Sequence, residues 1–89
     1  KGDPEIPEIR YRIAESWMKE GVFPKAIRAF EQVITNHRDD DWAAWSMLRQ
    51  GECFDELDQP DNAEIFYSEV LRAYPKSEAA KEAKAHLDG

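Results

Sequence analysis

Cysteine is almost missing from these 89 residues: Cys53 stands alone. No internal disulfide can form, and no cysteine-based zinc cluster can be assembled. Basic residues are also scarce, with 12 Lys and Arg against 19 Asp and Glu and a formal net charge of −7. The chain therefore lacks the basic face that non-specific binding to nucleic acid or to an anionic membrane surface requires. The same balance suits a protein or peptide partner of basic or mixed charge. No apolar run is long enough to span a bilayer, so direct membrane insertion is not expected, and no signal-peptide pattern is present. The chain opens at Lys1, as an excised domain or processed fragment would, which leaves its compartment undecided. Low-complexity stretches are absent, and strict alternation of apolar and polar residues is rare, which argues against strands. A chain of this length buries a modest core and depends on well-packed helices or on a neighbour.

What is present is a spacing of three and four. Helix one is expected from about Pro4 or Pro7 to Glu20, with Ile6, Ile9, Ile13 and Trp17 as its apolar steps and Gly21 as its stop. Helix two, from about Phe23 to His37, carries the clearest stripe: Phe23, Ala26, Ile27, Phe30, Val33 and Ile34. The acidic run Asp39-Asp40-Asp41 reads as a connection in which one aspartate caps helix three. Helix three runs from about Asp41 to Leu57 with Ala44, Met47, Gly51 and Phe54 on one side. Asp58-Gln59-Pro60-Asp61 is a turn. Helix four follows to Tyr74 through Ala63, Phe66, Tyr67, Val70 and Leu71, and Pro75 ends it. Ser77 caps a fifth helix with Ala80, Ala83 and Leu87 on one face.

The pattern repeats. Setting Ala26 on Ala63 gives an offset of 37 residues, which places Phe30 on Tyr67, Val33 on Val70, Ile34 on Leu71, Trp17 on Phe54 and Ala14 on Gly51. Arg12 and Glu15 fall on Arg49 and Glu52. Small residues recur where helices approach closely and aromatic residues where the gap is wide, which is the signature of stacked helical hairpins.

Gly51-x2-Phe54, Ala63-x3-Tyr67 and Pro75, echoed by Ala14-x2-Trp17 and Ala26-x3-Phe30, resemble the tetratricopeptide repeat. The chain departs from that pattern at Arg10-x2-Ile13 and Met47-x2-Gln50, and Arg38 stands where the first copy would close with proline. The resemblance implies an all-α fold: a right-handed stack of two hairpins, repeat one over about 7–38 and repeat two over about 41–75, with a capping helix over about 77–87, in a single domain. It also implies a non-catalytic protein-interaction module. Val70-Leu71-x2-Tyr74-Pro75-x-Ser77 followed by Ala79-Ala80-x2-Ala83 is similar to repeats of bacterial envelope proteins such as the TolA-binding coordinator of the Tol-Pal system and outer-membrane assembly lipoproteins. That narrower likeness favours the bacterial periplasm over the cytoplasm.

In such stacks the first helix of each hairpin lines a concave surface. With Ala44, Met47, Gly51 and Phe54 turned inward, the turn of about 100° per residue puts Trp42, Trp45, Arg49, Glu52 and Glu56 on another face. Glu5, Glu8, Arg12, Glu15 and Lys19 share the corresponding face of helix one. Tryptophan and arginine most often carry binding energy, so Arg12, Glu15, Lys19, Trp42, Trp45, Arg49 and Glu52 are the expected protein-binding residues. Two alternatives stand beside this reading. Trp42 and Trp45 could pack under the fifth helix or against the connection at 38–41. Arg12–Glu15 and Arg49–Glu52 could be plain i,i+3 pairs worth about 0.2–0.5 kcal/mol each. Self-assembly of the stack is the alternative function, because the Ile6–Ile9 end is less protected than the alanine-rich cap and is expected to meet either a second copy or upstream repeats. No catalytic residue, metal ligand set or cofactor is expected: His37 and His86 have no nucleophile or metal partner at a recognisable spacing, and Cys53 reads as partly buried filler.

Overall fold

The computed structural model describes residues 6–89, so Pro4 and Glu5 lie outside the described residues. The chain forms α1 (Pro7–Lys19), α2 (Phe23–Asn36), α3 (Asp41–Glu56), α4 (Pro60–Ala73) and α5 (Glu78–Asp88). Prolines sit in the first turn of α1, α2 and α4, where a missing N–H costs nothing. Asp40 caps α3 by accepting the Trp42 N–H at 2.8 Å, and Ser77 caps α5 by accepting the Ala80 N–H at 3.0 Å.

The two hairpins turn in the same way. After α1 the Val22 N–H reaches the Trp17 carbonyl and the Gly21 N–H the Met18 carbonyl, both at 3.0 Å. After α3 the Gln59 N–H reaches the Phe54 carbonyl at 2.9 Å and the Asp58 N–H the Asp55 carbonyl at 3.0 Å. This double bond pattern is the Schellman stop, which needs a left-handed residue. Gly21 supplies it at φ +81° in the first hairpin, and Asp58 at φ +62° in the second.

α3 is the centre of the molecule and packs on all four other helices. Tyr11, Ala14, Ala26, Phe30, Val33 and Cys53 form one buried cluster between α1, α2 and α3. Ile34, Met47, Leu48, Ala63, Tyr67, Val70 and the α5 alanines 79, 80 and 83 belong to the second. Gly51 is required here, since a Cβ on it would stand 2.5 Å from a ring carbon of Tyr67.

The expected apolar face of α1 is a correction. Ile6, Ile13 and Trp17 are 45, 50 and 36 % exposed, and the helix buries Tyr11 and Ala14 instead. The isoleucine spacing does mark one face of a helix, but that face turns away from α3 and lines the open edge of the α1–α2 cleft. Cys53 is fully buried rather than partly so.

α1, α3 and α5 lie side by side in contact, whereas the α2 and α4 backbones stand farther apart. The molecule is a slab only 16 Å across its thinnest axis, two helix layers deep. Because neighbours approach more closely in the α1–α3–α5 layer, the slab curves toward that face.

Candidate protein-binding groove

On α3 the positions 42, 45, 49, 52 and 56 follow a three-and-four spacing, so Trp42, Trp45, Arg49, Glu52 and Glu56 fall along one line of the helix. α1 flanks this line with Tyr11, Arg12, Glu15 and Met18, and α5 flanks it with Glu82 and His86.

At the N-terminal end of α3 the surface is aromatic and cationic. The Trp42 ring leans on Tyr11 at a centroid distance of 4.9 Å, and the Arg12 guanidinium lies 5.2 Å above Trp42. Arg12 also reaches Glu15 at 3.1 Å and Glu8 at 3.4 Å. Trp42 therefore packs against α1, not under α5 or against the 38–41 connection. Trp45 is half-buried at the junction of both core clusters, with the Arg49 guanidinium 5.4 Å from its ring.

Arg49 is the hub. Its Nε donates to the Tyr11 hydroxyl at 3.0 Å, and its Nη1 donates to the two Glu52 carboxylate oxygens at 2.9 and 3.1 Å. Glu82 of α5 stands 3.7 Å from the same nitrogen. Burial works against the charge, but the Tyr11 hydrogen bond and the Glu52 carboxylate outweigh it and hold the guanidinium firmly cationic. One side chain thus ties α1, α3 and α5 together.

Toward the C-terminal end of α3 the surface becomes acidic. Glu52, Asp55 and Glu56 line a cavity of about 500 Å³ with Met18, Phe23, Tyr67 and His86. The His86 ring lies flat on Tyr67, with centroids 4.4 Å apart and planes 7° apart, and its Nε2 is 3.0 Å from Glu52. The Tyr67 hydroxyl donates to Asp55 at 2.6 Å. Burial, then the Asp55 hydrogen bond and charge, push the Tyr67 phenol well above its usual range. The result is an apolar floor with carboxylates at the rim. Such a lining can take the methylenes of a long side chain and pair its cationic tip.

Of the seven expected residues, Arg12, Glu15, Trp42, Trp45, Arg49 and Glu52 lie on this connected surface. Lys19 ends α1 in an exposed position, and no described ion pair joins it to the others. Tyr11, Glu82 and His86 were not expected. Extending the 37-residue offset one step further would have found two of them. Arg12, Arg49 and His86 occupy equivalent positions on α1, α3 and α5, and Glu8, Trp45 and Glu82 do the same. The fifth helix thus continues the register of α1 and α3 as well as their layer.

Comparison with known families gives a match to the profile described as Tetratricopeptide repeat over residues 8–40 and again over 45–77, the same 37-residue offset. A search of curated proteins finds no match to the chain.

Proposed function

The chain belongs to the tetratricopeptide-repeat family, and from that premise we propose that its α1–α3–α5 face holds a helix or peptide of basic or mixed charge from a partner protein. Repeats of this family are protein–protein interaction modules and are not catalytic. The supporting observation is the cavity at the C-terminal end of the α3 line, with Met18, Phe23 and Tyr67 below and Glu52, Asp55 and Glu56 at the rim. The cations on this face are already engaged: Arg49 with Glu52 and Tyr11, Arg12 with Glu15 and Glu8. The surplus charge offered to a ligand is negative. Arg49 and Arg12 therefore shape the groove, while Trp45 and the free carboxylate of Glu56 meet the partner. A Lys or Arg side chain of that partner lies along Phe23 with its charge at Glu56.

The test is titration with an amphipathic peptide bearing lysines on its polar face, read by calorimetry. Trp45→Ala abolishes binding while far-UV circular dichroism stays helical. Because Trp45 is half-buried, Glu56→Lys at an exposed position is the second variant, and it weakens binding by about tenfold or more. Binding that survives both variants contradicts the reading. A bacterial periplasmic setting belongs to the same proposal, supported by the envelope-like Val70–Ala83 pattern. Fractionation of cells expressing the full-length gene product tests it, and recovery in the cytoplasm counts against it.

A further inference from the structure

The outer face of α1 carries three exposed apolar side chains, Ile6, Ile13 and Trp17. The internal repeat shows what such a face is for. Shifted by 37 residues, Ile6, Ile9 and Ile13 become Ala43, Ser46 and Gln50 of α3, which are 0, 0 and 1 % exposed. They are buried because α2 lies across them. Gln50 donates its amide to the Ile27 carbonyl at 3.0 Å and to Glu31 at 3.1 Å, and Ile34 of α2 joins the α3–α4 cluster. The first hairpin has the same cleft between its two helices, about 320 Å³, lined by Arg10, Ile13, Trp17, Lys25 and Arg28 among others. Within the described residues no helix lies across it.

The two clefts differ in charge. In the second hairpin the cleft has Met47, Asn62 and Ile65 at the positions that Arg10, Lys25 and Arg28 hold in the first. Three cations thus gather around an apolar strip in a chain whose net charge is −7. Lys25 sits 4.7 Å over the Trp17 ring, and Arg10 donates to Gln32 at 2.7 Å, so the strip is framed rather than covered. A second copy of this cleft would bring like charges together, which disfavours symmetric self-pairing.

We propose that the α1–α2 cleft is a second docking surface that takes an amphipathic helix with acidic flanks from a partner protein, seated as α2 is seated on α3. The helix places two aliphatic residues seven apart, as Ile27 and Ile34 are, on Ile6–Ile13–Trp17, and its carboxylates meet Lys25 and Arg28. This surface lies on the opposite side of α1 from the groove and takes a ligand of opposite charge.

The probe is a hydrocarbon-stapled helix of 14 residues, the length of α2. It keeps the Ile-x3-Glu-x2-Ile register and has glutamates at the flanking positions. A twin with lysines at those flanks is the control. Calorimetry and amide chemical shifts of the folded protein are the readouts. The acidic helix binds, moves the Ile13 and Trp17 amides, and binds more weakly as salt is raised. Ile13→Glu, and separately Lys25→Glu with Arg28→Glu, each reduce affinity by about tenfold or more. Ile13, Lys25 and Arg28 are exposed or rim positions, so these variants keep their helicity. The proposal is overturned if the acidic helix does not bind, or if the lysine twin binds as well. It is also overturned if sedimentation shows a dimer that Ile13→Glu dissociates, because a second copy would then own the face.

Discussion

Cys53 shows how little a residue type says without its surroundings. It is completely buried, and burial together with the charges of Glu52 and Glu56 pushes its thiol from the ordinary 9.0 up to about 12. The folded thiol stays protonated at neutral pH and is no nucleophile. An acid whose pKa is raised by folding keeps its proton in the native state after the unfolded chain has lost it. Its stabilising effect is therefore complete below pH 9.0 and falls as pH rises from 9.0 toward about 12. Tyr67 and Tyr11 are raised in the same direction and add to the loss above pH 10.0. Melting temperature should accordingly fall between pH 9 and 11, and Cys53→Ala should flatten the beginning of that fall. A wild-type melting temperature that is level over this interval would contradict the assignment. Arg49 teaches the complementary lesson. Its spacing with Trp45 and Glu52 was legible, but its bond to Tyr11 was not, because Tyr11 lies 38 positions away in sequence. Local spacing specifies a helix face; it does not specify what the neighbouring helix brings to it.

Elements follow the sequence closely where backbone chemistry decides. Prolines in the first turns, the Asp40 and Ser77 caps and the stop at Gly21 lie where the residue types demand. The second hairpin makes the same stop with Asp58, an L-residue held at φ +62°. Glycine relieves that steric cost most fully, so Asp58→Gly should stabilise the fold by about 0.5–1 kcal/mol. Urea denaturation at constant m-value measures this, and a loss of stability would show that the Asp58 carboxylate has a structural role not visible in its contacts. The faces of α1 were the hard part. Two apolar sets compete on that helix: Ile6, Ile9, Ile13 and Trp17, and Tyr11, Ala14 and Met18. Periodicity weights the larger set of aliphatic residues. Packing chooses the other, since Ala14 lets α2 approach and Tyr11 fills the space beside Phe30 at a ring distance of 5.5 Å. In repeat proteins a hydrophobic face can belong to a neighbour that lies outside the hairpin, and α1 carries one such face in excess.

As a whole, the molecule is a curved slab with two unlike surfaces. Its concave side joins α1, α3 and α5 through Arg49 and presents carboxylates around an apolar floor. Its N-terminal side offers Ile13 and Trp17 within a ring of cations. The stack of helices, the repeat offset and most of the groove residues could be read from sequence. The join between hairpins and the polarity of each surface could not, because both depend on which side chains already neutralise one another inside the fold. The most direct test of the groove is amide chemical-shift mapping of the folded domain on addition of the lysine-bearing amphipathic peptide. Saturable shifts centred on Trp45, Glu56 and His86 are expected, with Ile13 and Trp17 undisturbed. No shifts at Trp45, Glu56 and His86, or shifts centred on the outer face of α1, would contradict it.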